Sequence, residues 1–364
     1  MKKSLIALAV LAAAGTASAQ SSVTLFGVLD AAVQHVSNSG GAKGTRMVQG
    51  SNTRSNFGLR GTEDLGGGMA ASFWVEADIS VDDGTGSATN TNNQSTGATG
   101  GATGITFNAR STVSLSGGWG EMRLGRDYTP AFRSVSAFDP FGTRGLGTNQ
   151  LLNSCNGLAN SQTCVRASNS IGYFLPAMGG IYGELKYWLG ENSNLAGTPP
   201  GATKKDGQGA GLRIGYASGP FNIAAAYNRT NYNVGDFKQS NIGGSWDFGM
   251  AKVTAVVSRE SSGAVDGKGL MIGGIIPVGA GQVRISFGQY ETDLTAADPR
   301  TRKLALGYVH NLSKRTAVYG TYARVRNSGG ANGSVLGSAA STAFGLPAAN
   351  AKSQGAEVGV RHSF

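Results

Sequence analysis

Apolar and polar side chains alternate along most of the chain. In "SVTLFGVLDAAVQHV", Val23, Leu25, Leu29, Ala31 and Val33 share one parity; Thr24, Asp30 and Gln34 share the other, while Phe26 and Val28 blur it. "RSNFGLRG" sets Phe57 and Leu59 against Arg54, Asn56 and Arg60, and "RSTVSLS" sets Val113 and Leu115 against Arg110, Thr112, Ser114 and Ser116. "GLRIGYAS" and "QVRISFGQY" repeat the pattern around Arg213 and Arg284. A period of two marks strands with two unlike faces. The runs reach about 10 residues, against about 5 or 6 in soluble sheets and about 9–11 for a tilted strand that crosses a bilayer.

The connections alternate as well. Short ones, such as "GGWG", "SGP" and "LSK", separate long ones at Asp82–Gly104, Tyr128–Cys164, Glu191–Gly207 and Ser328–Lys352. Short turns at one rim and long loops at the other favour an outer-membrane barrel over a β-sandwich, which also alternates. Sixteen segments are counted, the first centred near residue 29 and the last near 358. Those near residues 272 and 321 alternate poorly. The expected fold is all-β: a 16-stranded antiparallel transmembrane β-barrel. It closes by pairing its first and last strands, which leaves no open edge and encloses a water-filled lumen.

The first residues support export. "MKKSLIALAVLAAAGTASAQ" has two lysines, an apolar stretch from Leu5 to Ala14 and an Ala17-Ser18-Ala19 cleavage site. This reads as a signal peptide over residues 1–19, too short for a membrane helix. Residues 20–364 then form the barrel, and no later segment is apolar enough to cross a bilayer as a helix. The formal charge of +10 falls to +8 without Lys2 and Lys3. Export and the lack of a Lys/Arg run with interleaved aromatics argue against nucleic acid and leave attraction of small anions. Cys155 and Cys164 sit nine apart in a polar segment of a chain bound for an oxidising compartment, so a disulfide is expected. With no histidine nearby they do not read as a zinc site, and no cofactor or metal is expected.

Several stretches carry a resemblance. "SSVTLFGVLDAAV", "GLRGTEDLGGGMAASFWVE", "STVSLSGGWGEMRLGRD", "LGYVHNLSKRTAVYGTYA" and "GVRHSF" are similar to the Gram-negative general porins, in particular the anion-selective branch with an arginine cluster at the constriction. The resemblance implies a homotrimer in the bacterial outer membrane, in contact with outer-membrane lipid and lipopolysaccharide. It implies passive diffusion of small hydrophilic solutes. It also implies that the long third loop, here residues 128–164, folds into the lumen, with acids facing basic groups on the wall. The terminal Phe364 is then the signal read by the outer-membrane assembly machinery.

The family's wall arginine after the third loop matches Arg166 in "VRASNSIGYFLP". The arginine before the family's "LGLRG" falls on Asn56, with Arg54 two places earlier; the arginine pair before "STVSLSG" is reduced to Ala109-Arg110. The loop-tip motif is replaced by "FDPFG", which leaves Asp139 as the acid on the loop. Parity alone sends Arg54, Arg60, Arg110, Arg123, Arg166, Arg213 and Arg284 inward, with the acids Glu76, Asp78, Glu121 and Glu184, because charge on the lipid face costs roughly 2–4 kcal/mol at mid-bilayer. Arg126 shares parity with Met122 and Leu124, so it needs a bulge or a place beyond the hydrocarbon. The candidate constriction is therefore Arg54, Arg110, Arg126, Arg133 and Arg166 against Glu76, Asp127 and Asp139, and small anionic solutes are its expected traffic.

Three other readings make different demands on the chain. A hydrolase would need a nucleophile, a base and an orienting group. The histidines are His35, His310 and His362, all on the apolar parity, so no enzyme is expected. A substrate-specific uptake channel would need a ladder of side chains along the wall, which Arg324 and Arg326 would extend. A secreted adhesin would lack the lipid-facing alternation.

Overall fold

Every alternating run becomes a strand, and each strand pairs antiparallel with at least one sequence neighbour. The computed structural model describes residues 22–364 apart from 96–103, 153–154, 156–157, 159–160, 193–202, 295–296 and 338–343. The expected signal peptide at 1–19 lies outside the described residues. The first strands are β1 (Ser22–Asn38), β2 (Lys43–Gln49), β3 (Asn56–Gly66), β4 (Met69–Asp78), β5 (Arg110–Gly117) and β6 (Gly120–Tyr128). There follow β7 (Arg166–Phe174), β8 (Ile181–Trp188), β9 (Gly209–Ser218), β10 (Phe221–Thr230), β11 (Phe237–Asp247) and β12 (Lys252–Ser262). The last are β13 (Val265–Val278), β14 (Gly281–Thr292), β15 (Arg300–Asn311), β16 (Thr316–Ser328) and β17 (Lys352–Ser363).

The sheet closes on itself. β1 pairs with β17 from Val28↔Ser363 to Asn38↔Ser353, and Phe364 continues the ladder by exchanging backbone hydrogen bonds with Gly27 at 3.0 and 3.2 Å. The result is a closed 16-strand antiparallel β-barrel. The second crossing, read from the sequence as one segment, is broken in two. β3 pairs with Ser22–Val28 of β1 and β2 with Ala31–Ser37. Between them residues 50–55 leave the ladder, and Asp30 Oδ2 accepts the backbone N–H groups of Asn52 (2.9 Å) and Thr53 (2.6 Å).

The two faces differ as the alternation requires. Val113, Leu115, Leu212, Ile242, Val257, Leu304 and Val358 are exposed, while their neighbours Ser114, Asn241, Val256, Lys303 and Glu357 are buried. Exposed apolar rows on every side are what a lipid-facing wall demands and an aqueous surface does not. His35, His310 and His362 lie on this outward parity in β1, β15 and β17.

The β6–β7 connection is folded rather than loose. Its helix α1 (Pro130–Phe138) starts on Pro130, whose fixed φ suits a first helical turn. α1 buries Val135 and Phe138 against Ala224, Val256 and Met271 of β10, β12 and β13. Further on, Phe141 and Leu146 join Ala305, Ala323 and Val325 of β15 and β16, with Val335 from the β16–β17 connection. These wall residues all have the parity opposite to the exposed apolar rows. They explain the poor alternation near residue 321: β16 is apolar on both faces because its inner face is covered.

Candidate pore-lining site

Position along each strand decides which charges meet. Arg110 opens β5 and Arg166 opens β7. Arg54 sits in the 50–55 excursion, which displaces it from the ladder. Arg166 donates from Nε to the Ala109 carbonyl at 2.9 Å and lies 4.8 Å from the Tyr128 ring centre. Arg110 donates to Thr112 Oγ1 at 3.0 Å and stands 4.6 Å over Trp74. A planar cation on an aromatic face keeps its charge and holds its orientation. Neither arginine is in an ion pair among the described residues. Arg54 differs, because it pairs with Glu76 and with Asp78 Oδ1 at 3.2 Å.

Glu76 is saturated. Beside Arg54 it accepts from Asn56, the residue that replaces the family's arginine, and from Trp74 Nε1 at 2.9 Å. Asp127 is the centre of a second group. Arg123 (2.6 Å), Arg133 (3.0 Å) and Lys186 (3.8 Å) converge on its Oδ2, and Arg133 also reaches Glu184 at 3.0 Å. Burial alone would lower the Arg133 guanidinium's pKa, but Glu184 and Asp127 outweigh it and hold it above its ordinary value. Asp139 points into its own loop. It accepts from the backbone N–H of Phe141 (2.8 Å), Thr143 (3.1 Å) and Asn149 (3.3 Å), and from Asn149 Nδ2 (2.5 Å). Burial raises its carboxyl against those hydrogen bonds, which favour the ionised form.

Arg126 follows a register shift between Gly125 and Asp127, with Gly125 at φ +119°. Its guanidinium donates to the carbonyls of Asn108 (2.6 Å) and Asn90 (3.4 Å) and to Ser168 Oγ (2.8 Å). It ties down the β4–β5 connection.

The curated relatives speak to the same architecture. The family model for Gram-negative porins matches residues 5–330. Outer membrane porin protein 32 of Delftia acidovorans is 38% identical over 378 residues, spanning 100% of both chains. The chain is a Gram-negative porin. An outer membrane porin protein of Bordetella pertussis is 28% identical over 423 residues and also spans 100% of each chain. Among solved structures, the anion-selective porin from Comamonas acidovorans matches with a TM-score of 0.82 at 32% identity, over 95% of this chain and 100% of that one. The porin is an integral protein of the outer membrane and forms a channel there.

The porin's β6–β7 connection rests on a row of wall glycines. A Cβ on Gly243 would meet Phe138 Cδ2 at 2.5 Å, one on Gly307 would meet Phe141 at 2.9 Å, and one on Gly355 would meet Leu146 at 3.0 Å. Gly243→Val should therefore force Phe138 from its seat at about 1–3 kcal/mol. Single-channel conductance is expected to change from the wild-type level; an identical trace would mean that the connection does not set the open cross-section. Cys155 and Cys164 pair within the same connection, Cα atoms 5.2 Å apart.

Sequence reasoning missed Lys186, which is buried and donates to the Tyr128 carbonyl at 2.6 Å. Its parity was readable, since it lies between Leu185 and Tyr187 on the same face as Glu184. Arg284, sent inward by parity, and Arg144 were not assigned to the constriction; they line an open space of about 450 Å³ with Arg54, Tyr128 and Phe141. Arg324 and Arg326 fall on the outward face of β16, so they add nothing to a ladder inside the barrel.

Proposed function

We propose that this porin passes small hydrophilic solutes passively and prefers anions. The observation that carries the reading is an imbalance in pairing. Arg110, Arg144, Arg166, Arg213, Arg284 and Arg361 are in no ion pair among the described residues, whereas Glu76, Asp78, Asp127 and Glu184 each hold an arginine. Unpaired arginines in a narrow passage raise the local anion concentration, and their spread along the wall lets the ion leave again. The third loop narrows the lumen, with Arg54, Arg110, Arg126, Arg133 and Arg166 around it and Asp127, Asp139 and Glu76 as the structuring acids. The anion-selective porin from Comamonas acidovorans supports the reading.

The remaining assignments rest on family membership. They are export by cleavage after Ala19, a homotrimer, contact with lipopolysaccharide, and assembly through Phe364. The Phe364 ring lies on Gly27 beside the closing strand pair, a geometry that suits a strand-end signal. Deleting Phe364 should sharply cut the yield of heat-modifiable folded protein in outer membranes while leaving the conductance of folded channels unchanged, because the residue lies at the end of the closing strand pair. Normal yield would refute the signal. For selectivity, a planar-bilayer recording under a salt gradient should give a reversal potential of the sign set by chloride. The potassium sign would sink the proposal.

A further inference from the structure

Two large aromatic side chains stand on the water-facing parity, where the sequence otherwise places polar groups. Phe26 alternates with the exposed Leu25 in β1, and Trp74 with the exposed Phe73 in β4. Both are half-buried, and neither belongs to the apolar clusters that seat the β6–β7 connection. Their ring centres are 4.9 Å apart at an interplanar angle of 59°, which makes an open corner rather than a stack. Each ring is fixed in place. Phe26 lies on the Gly58 backbone, where any Cβ would strike its ring, and Trp74 Nε1 donates to Glu76 Oε2 at 2.9 Å.

Two guanidiniums share this corner. Arg60 stands directly opposite Trp74 in the β3–β4 ladder, with its guanidinium carbon 5.3 Å from the Phe26 ring centre and 5.0 Å from that of Trp74. Arg110 stands over the same indole from β5. Arg60 is exposed, and like Arg110 it is in no ion pair among the described residues. Around Phe174 the same kind of contact lacks a free cation, because Arg123 and Arg133 are committed to Glu121, Asp127 and Glu184. Arg166 and Arg213 each stand over a single ring, Tyr128 and Tyr182. Among the described residues, Phe26 and Trp74 are where two rings and two unpaired guanidiniums meet. Glu76, which borders the indole, is taken up by Arg54 and Asn56. Arg60 and Trp74 lie one inward step nearer the short β3–β4 turn than Glu76, hence towards the periplasmic side.

We propose that Phe26, Arg60, Trp74 and Arg110 form a stacking site for aromatic carboxylates of the benzoate type. A carboxylate takes the paired N–H groups of a guanidinium fork. An aromatic ring gains from lying against another ring or against a guanidinium plane. Chloride or an aliphatic carboxylate would use the cations and leave both rings bare. The exposure of Arg60 keeps the site open to water, so that the solute leaves again. The inference rests on the reading of this wall as part of an anion path, and names the class of anion that the wall favours.

The test compares benzoate with cyclohexanecarboxylate, which has the same charge and a similar size but no π face. Each is added to the full-length porin in a planar bilayer bathed in KCl, and the concentration that half-blocks the current is read. Wild type should be half-blocked by benzoate at about tenfold lower concentration than by cyclohexanecarboxylate, the scale of one or two aromatic contacts. Phe26→Leu and Trp74→Leu should each bring the benzoate value towards that of cyclohexanecarboxylate, and R60Q should weaken block by both acids. Heat-modifiable migration certifies that the variants are folded. Trp74 also supports Arg110, so F26L is the variant that decides. Equal block of wild type by the two acids, or an undiminished benzoate preference in F26L, would overturn the proposal. The reversal potential is recorded on the same channels. A chloride sign with equal block removes this inference alone, whereas a potassium sign with the benzoate preference retained removes the anion-preferring reading and leaves the site.

Discussion

Neutralising Arg110 and Arg166 together (R110Q/R166Q) should move the anion-to-cation permeability ratio towards unity by about tenfold, the scale of a surface potential of several kT. Both guanidiniums are held by neutral groups, Thr112 and the Trp74 face for one, the Ala109 carbonyl and the Tyr128 face for the other. Their charge is therefore uncancelled by a local carboxylate. Glutamine keeps much of the bulk and can still donate a hydrogen bond, so the reversal potential should shift with little change in folded yield. Arg54 is the internal control. Glu76 and Asp78 already pair with it, so R54Q should lower anion preference less than the double variant does. A double variant with wild-type selectivity would place Arg110 and Arg166 off the ion path.

The second large effect is expected at Asp127. Asp127→Asn leaves Arg123, Arg133 and Lys186 converging on a neutral amide. Breaking a buried ion cluster by removing one partner typically costs about 3–5 kcal/mol. Arg133 belongs to α1 and Asp127 to β6, so the loss falls on the docking of the β6–β7 connection to the wall. Two readouts should part company. The temperature at which the heat-modifiable band converts should drop, while the lumen, one negative charge poorer, should become more anion-selective. Glu184 still holds Arg133, so the helix keeps one of its two anchors. An unchanged conversion temperature would mean that the cluster is solvated and each cation finds water instead.

The barrel itself was legible. Alternation in β5, β9 and β14 gives the outward and inward faces residue by residue, because a one-residue slip would put arginine into lipid. The four long connections and the short turns were readable for the same reason, as breaks in that alternation. Legibility failed where a strand's inner face is not wet. In β16 Ala323 and Val325 pack under Leu146 and Val335, so both faces are apolar and the sequence offers no phase. The inward placement once open to Arg324 and Arg326 was lost to that ambiguity. The break between β2 and β3 was also invisible, since it depends on Asp30 of another strand capturing the backbone of Asn52 and Thr53.

The site divides along the same line. By itself the sequence sent Arg110, Arg166, Glu76 and Glu184 towards the interior, because parity is a local property of a strand and the bilayer penalises the alternative. Only the tertiary structure decided which of those charges remain unpaired. Arg54 and Glu76 are 22 residues apart and Arg133 and Glu184 are 51 apart, and strand register and the path of α1 bring them together. Asp139 carries the same lesson: its residue type promised a free acid on the loop, and the turn of backbone around Phe141, Thr143 and Asn149 claimed its carboxylate. Charge pairing is a long-range property, set by distances that no alternation encodes.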